Sequence, residues 1–156
     1  MSRGWIIFFF LILLFAVVIL GLVAYAQRRD YFYIYSRTAG TYLSVDNTTT
    51  TPTVILTSTP DNNGIWIFSP IDAVNPIYTI LNPNTGLYLS YPATITEGTP
   101  VTLLPDQALA GRWTIIGTAI FIFNTTYPPG FSAKVSGSGL VLSSSVTDGS
   151  NEFLLT

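Results

Sequence analysis

A pattern of four short apolar runs recurs three times along this chain. Residues 77–116 read IYTILNPNTGLYLSYPATITEGTPVTLLPDQALAGRWTII. Residues 32–68 follow the same course: a β-rich run, then GTYLSV, TVILTS and GIWIF. Residues 119–155 repeat it more loosely as AIFIFN, GFSAKV, GLVLSSS and NEFLL. Self-similarity at a fixed period means a repeat architecture, in which no unit buries its apolar face alone and the copies must close together.

Each copy supplies four strands, because runs rich in Val, Ile, Thr, Tyr and Phe recur about every 8–12 residues between turn residues. The expected strands are 31–36, 41–46, 53–58 and 65–69, then 77–82, 87–91, 100–104 and 112–116, then 119–124, 131–136, 139–144 and 152–155. Asp61-Asn62-Asn63-Gly64, Asn82-Pro83-Asn84-Thr85-Gly86 and Pro128-Pro129-Gly130 read as turns, since Pro fixes φ while Gly and Asn accept positive φ. Gly40, Gly86 and Gly130 precede the second strand of each copy, and Trp66, Trp113 and Phe153 sit in the fourth. These three aromatics mark the repeat core, because strand alternation places them with inward neighbours such as Phe68 and Ile115. The expected fold class is all-β: twelve strands with pseudo-threefold symmetry.

The amino-terminal end obeys a different rule. Trp5 to Ala26 carries no charge and no Pro, and Tyr25 is its one polar side chain besides the flanking indole. At 1.5 Å per residue it covers roughly 30 Å, the thickness of a hydrocarbon core. Trp5 and Tyr25 stand where amphipathic rings favour the headgroups. Ala24-Tyr25-Ala26 looks like a signal-peptidase site, but a signal peptide's apolar region is only about 7–15 residues long. The reading is therefore a transmembrane helix over 5–26. It follows a tail at 1–4 and precedes a short linker at 27–30 and a β domain at 31–156, with repeats about 31–70, 77–117 and 119–156. Which side the domain occupies stays open. Arg28, Arg29 and Arg37 after the span favour the cytoplasm, whereas sequons at Asn47 and Asn124 favour the glycosylated side.

Composition narrows the chemistry. From Asp30 onward Arg37, Arg112 and Lys134 face eight acids, a net charge of −5, so the basic stripe that nucleic-acid binding needs is missing. The chain contains neither His nor Cys. That removes Ser-His and Cys-His nucleophilic pairs, disulfides and zinc–sulfur sites. The acids stand singly, mostly beside turn residues, so no paired carboxylates, calcium loop or phosphate loop is indicated. The expectation is a non-catalytic chain without cofactor or metal.

The second repeat resembles a repeat of the ricin B-type β-trefoil lectins. Its TGLYLS, GTPVTLL and GRWTI follow that family's G-x-x-L-D-V, G-T-x-V-x-L-W and Q-x-W pattern, and GTYLSVD is similar to the repeats of fascins. The resemblance covers 31–156 and implies a β-trefoil, a six-stranded barrel capped by three hairpins. It also implies sugar contacts, with departures. The lectins' early Asp is matched by Ser44, Ser90 and Lys134, none acidic, with Asp46 two residues beyond Ser44 as a substitute or a turn residue. A Ser offers no charge-assisted, two-oxygen acceptor. The Gln of Q-x-W is replaced by Gly64, Gly111 and Asn151, and the Cys of the second strand by Tyr42, Tyr88 and Ser132.

Two functions follow. The first is a structural module of a membrane-associated assembly, such as a virion with an internal membrane, docking neighbouring proteins close to the bilayer. It rests on the missing acids and the Thr-, Ser-, Asn- and Tyr-rich surface. The second is a membrane-tethered lectin, with Ser44, Asp46, Ser90, Tyr91 and Lys134 as contacts for sugar or partner and Tyr42, Tyr88, Tyr91 and Tyr127 as stacking faces.

Overall fold

In a computed structural model of the chain, residues 12–18, 30–72, 74–123, 130–144 and 150–156 are described. Residues 12–18 are helical, with exposed apolar side chains. Among the described residues no helix is long and apolar enough to cross a membrane. The rest of the expected 5–26 span, Asn124 and Tyr127 lie outside the described residues.

From Tyr31 the chain is a succession of strands in three sets. The first is β1 (Tyr31–Ser36), β2 (Thr41–Asp46), β3 (Thr53–Thr57) and β4 (Ile65–Pro70). The second is β5 (Ile77–Asn82), β6 (Leu87–Ser90), β7 (Thr99–Pro100), β8 (Thr102–Leu104) and β9 (Trp113–Ile116). The third is β10 (Ala119–Ile122), β11 (Ser132–Ser136), β12 (Gly139–Ser143) and β13 (Phe153–Leu155). The count is thirteen rather than twelve because the strand expected at 100–104 divides at Val101. Pro100 pairs with Val141 of β12, and the Val101 amide donates to Leu140 O at 2.9 Å, while Thr102–Leu104 returns to β6. Val101 turns its side chain into the core, so one strand serves two neighbours.

The first and last strands of the sets form a closed barrel. β1 pairs β4, β4 pairs β5, β5 pairs β9, β9 pairs β10, and β13 pairs β1, all antiparallel. The ring closes where Phe153 N donates to Thr118 O at 2.8 Å. Closure removes the unpaired edges that an open sheet would expose. The hairpins β2–β3, β6–β8 and β11–β12 cover one end. They join one another through β7–β12 and through Leu56 N to Ser138 O at 3.1 Å.

The turn into each hairpin is built alike in the first two repeats. Gly40 and Gly86, at φ 67° and 72°, donate to Ser36 O and Asn82 O, each at 2.9 Å. A side chain with a Cβ rarely adopts that φ, which is why the sequence places Gly there. The core unites the repeats: Ile34, Ile80 and Ile120 from the first strands, Leu43, Leu89 and Ala133 from the second, and Trp66, Trp113 and Phe153 from the fourth. Both tryptophans are fully buried. Trp66 Nε1 donates to Leu43 O and Trp113 Nε1 to Leu89 O, each at 3.1 Å, so the indole N–H that burial would orphan is satisfied in the same way twice. These rings form the core and offer no platform to a ligand.

Candidate functional site

Ser44, Ser90 and Lys134 occupy equivalent positions, each one residue after the core residue of the hairpin's first strand. The fold therefore sets them around the pseudo-threefold axis, on three different patches. Their surroundings differ in a way that the strand sequences alone do not show.

In the first repeat Ser44 is buried, and its Oγ donates to Asp61 Oδ1 at 2.8 Å. Asp61 is exposed and precedes the 3-10 turn Asn62–Gly64, which Gly64 N closes by donating to Asp61 O at 3.1 Å. A Cβ on Gly64 would lie 3.2 Å from Leu43 O and 3.3 Å from Asp61 Oδ1. The missing side chain lets the loop lie against β2 and brings its carboxylate over Ser44. Tyr33 Cδ1 is 3.6 Å from the same point, so an aromatic ring and the carboxylate flank Gly64. Tyr42 packs edge-on against Tyr33 at 6.1 Å. Asn63 Nδ2 donates to Val45 O at 3.1 Å, and Asn84 Nδ2 donates to Asn63 Oδ1. The loop thus carries two polar pairs two residues apart, Ser44–Asp61 and Asn63–Asn84, with the Tyr33 ring close to Gly64. Asp46 stands apart from it: its Oδ1 accepts from Thr48 Oγ1 at 2.6 Å and Thr48 N at 2.9 Å, bonds that hold its carboxyl below the usual range and close the turn at exposed Asn47.

The second repeat has no acid at this place. Ser90 is fully buried, and its Oγ has no hydrogen-bond partner. Gly111 seals it, since a Cβ there would meet Trp113 Nε1 at 2.8 Å, Ser90 Cα at 2.9 Å and Leu89 O at 3.0 Å. Tyr91 is committed to packing. Its ring stands edge-on to Trp113 at 5.1 Å, and its hydroxyl meets Arg112 O at 3.1 Å and Phe123 O at 3.2 Å. Burial pushes that hydroxyl's pKa up.

In the third repeat the acid arrives from the second. Glu97 precedes β7 and lies across the end of β12. Its Oε1 accepts from Ser143 Oγ at 2.6 Å, and its Oε2 from Ser144 N at 2.8 Å and Ser144 Oγ at 3.0 Å. The Ser143 bond, then those of Ser144, hold its carboxyl below the usual range, and the charge of half-buried Lys134 adds to them. A depressed folded-state pKa contributes stability above the unfolded value and loses it as pH falls through the folded one. Acidification below the ordinary carboxylate range is expected to free the Ser144 amide, seen as a lower protection factor relative to the intrinsic exchange rate at that pH, and Glu97→Gln is expected to lower it at neutral pH.

Sequence reasoning therefore missed Asp61 and Glu97. Asp61 was visible only as the start of a turn, three residues ahead of Gly64, and Glu97 only as the residue before GTPVTLL. The matched second-strand positions carry no acid in any repeat, but a loop carboxylate lies against that strand or its hairpin partner in two of the three, Asp61 on Ser44 and Glu97 on Ser143. Elsewhere a cavity of about 610 Å³ lies between the β4–β5 turn and the segment before β9, lined by Pro70, Ile71, Thr79, Asp106, Gln107 and Arg112. The Thr79 hydroxyl is buried without a partner. Among the described residues no group of three metal-ligating side chains converges.

A six-stranded closed barrel under three hairpins, with polar positions repeated about a threefold axis, is a β-trefoil of the lectin-like kind. The chain belongs to the ricin-type beta-trefoil lectin domain-like family, whose model matches residues 20–104. Solved structures share the fold. The designed threefold-symmetric protein ThreeFoil is 16% identical with a TM-score of 0.64, over 81% of this chain and 97% of that one. The Macrolepiota procera ricin B-like lectin, solved with lactose, is 16% identical with a TM-score of 0.65, over 81% and 94%. The Polyporus squamosus lectin, bound to a human-type influenza-binding epitope, is 20% identical with a TM-score of 0.66. This chain spans 83% of itself but only 49% of that lectin, and 47% of the PSL1a chain. No curated protein sequence matches.

Proposed function

We propose that the chain is a non-catalytic carbohydrate-recognising module held at a membrane by residues 5–26. The observation that carries the reading is the Ser44–Asp61 pair. Asp61 is exposed, and Ser44 engages only one of its two oxygens in the hydrogen bonds described. A carboxylate acceptor beside amide groups and aromatic rings is the chemistry that grips a sugar's hydroxyls and its apolar face. Lectins of the same fold, solved with lactose and with a glycan epitope, support the class of ligand. The reading as a protein-docking component of an assembly, virion included, drew on acids missing from the repeats. Asp61 against Ser44 offers a carboxylate near one of those positions, which favours glycan recognition over docking here.

The test is a glycan array with the full chain in micelles. Asp61→Asn keeps the shape and removes the charge, and is expected to weaken binding by about 10–100-fold, the worth of a charged hydrogen bond of about 1.5–3 kcal/mol. Ser90→Ala, at the sealed position, is expected to change nothing. No binding in monovalent or clustered form, or an Asp61→Asn variant that binds as the parent does, rejects the proposal. Retention in vesicles through carbonate extraction tests the anchor.

A further inference from the structure

The barrel end opposite the hairpins gathers most of the exposed large hydrophobic side chains of the β domain. Among the described residues beyond the amino-terminal helix, seven large hydrophobic side chains are exposed, and six of them, Tyr31, Ile71, Val74, Ile116, Leu154 and Leu155, belong to this end. The strand directions bring them together. β1 starts here, β4 ends here and β5 starts here, as the pairings Tyr31 to Ile67 and Pro70 to Tyr78 require. The β9–β10 turn falls here too, beyond Ile116, and Thr156 returns to Tyr33 through paired bonds of 2.8 and 3.0 Å. Leu154 and Leu155 line, with Gly117 and Thr118, a recess of about 240 Å³.

The most prominent member is built to protrude. Val74 is 89% exposed. Asp72 braces its turn, with Oδ1 accepting from Val74 N at 2.8 Å and Asn75 N at 3.3 Å, and Oδ2 from Asn75 Nδ2 at 2.7 Å. Ile71 N donates to Ile77 O at 2.8 Å and closes the base. Asp72 fixes the shape of the turn, and the isopropyl group of Val74 stands exposed on it. A contiguous apolar patch on a protein surface marks an interaction site.

We propose that this end of the barrel rests on the lipid interface, with Val74, Ile116 and Tyr31 seated among the headgroups. The inference rests on the anchor reading of residues 5–26. What names lipid as the occupant is continuity: the apolar segment joins the domain at Asp30 and Tyr31, within the patch, across a linker of only four residues, 27–30. Arg28 and Arg29 in that linker match anionic headgroups. The hairpins and the loop that carries Asp61 then face away from the bilayer, where a glycan can reach them.

The chain has no Cys, so single-cysteine labels are clean. Val74→Cys, Ile116→Cys and, on the hairpin loop, Thr49→Cys would each carry a bimane label in the full chain, reconstituted into phosphatidylcholine–phosphatidylserine vesicles containing headgroup-nitroxide lipid. Quenching at positions 74 and 116 is expected to exceed that at 49 several-fold. Equal quenching at the three positions in a chain retained through carbonate extraction overturns the surface and leaves the anchor standing. A chain released by carbonate overturns both. Shielding of positions 74 and 116 in lipid-free micelles that grows with protein concentration assigns the patch to a second copy and also overturns the proposal.

Discussion

Trp113→Ala is expected to lower the unfolding free energy by about 3–5 kcal/mol. The indole is fully buried and packs with Leu89, Ile80 and Ile120 among the residues that join the three repeats. Its removal leaves a cavity and also strips Leu89 O of its 3.1 Å partner. Trp113→Phe separates the two losses. Phe153 already fills the equivalent place in the third repeat, so a benzene ring suits the position, and the cost should fall to the unpaired carbonyl, about 1–3 kcal/mol. Urea unfolding of the detergent-solubilised chain measures both. An alanine variant that melts like the parent but loses glycan binding would move Trp113 from the core to a surface platform.

The threefold pattern was legible because packing wrote it. Inward residues recur at a fixed spacing, and Gly40 and Gly86 are demanded by backbone angles that few residues adopt. Strand limits fell within two residues of expectation for the same reason. The break at Val101 was not legible, because it depends on β12 competing for its amide, a contact made across repeats. The acids were hidden by the same kind of distance. Ser44 finds Asp61 17 residues on, and Glu97 finds Ser143 46 residues on. A motif compared strand by strand reads only what one strand carries. The fold lets a loop, of the same repeat for Asp61 and of the preceding repeat for Glu97, lay a carboxylate against a hairpin strand, and such a contact leaves no trace in the strand motif.

Asn82→Ala tests that cooperation and is expected to cost about 2–4 kcal/mol through buried groups left unpaired. Asn82 is fully buried at the end of β5 and satisfies two segments at once. Its Oδ1 accepts from Thr85 N and Thr85 Oγ1, each at 3.0 Å, and holds the turn into β6. Its Nδ2 donates to Asn63 O at 2.6 Å and Ile65 O at 3.1 Å, and pins the loop that carries Asp61. Alanine frees both carbonyls, so the loop should loosen and glycan binding should weaken together with stability. Asp61→Asn should weaken binding at unchanged stability, and the contrast distinguishes a positioning residue from a contact. Asn82→Asp sharpens the test. It keeps the acceptor toward Thr85 but turns the donor edge into a second oxygen against two carbonyls, a buried charge facing negative dipoles. At neutral pH it should destabilise more than alanine does. Burial against those carbonyls raises its folded pKa above the unfolded value, so the penalty should shrink as pH falls and the carboxyl regains a proton to donate. An Asp variant as stable as the Ala variant at all pH values would mean that the Asn82 amide does not hold the loop.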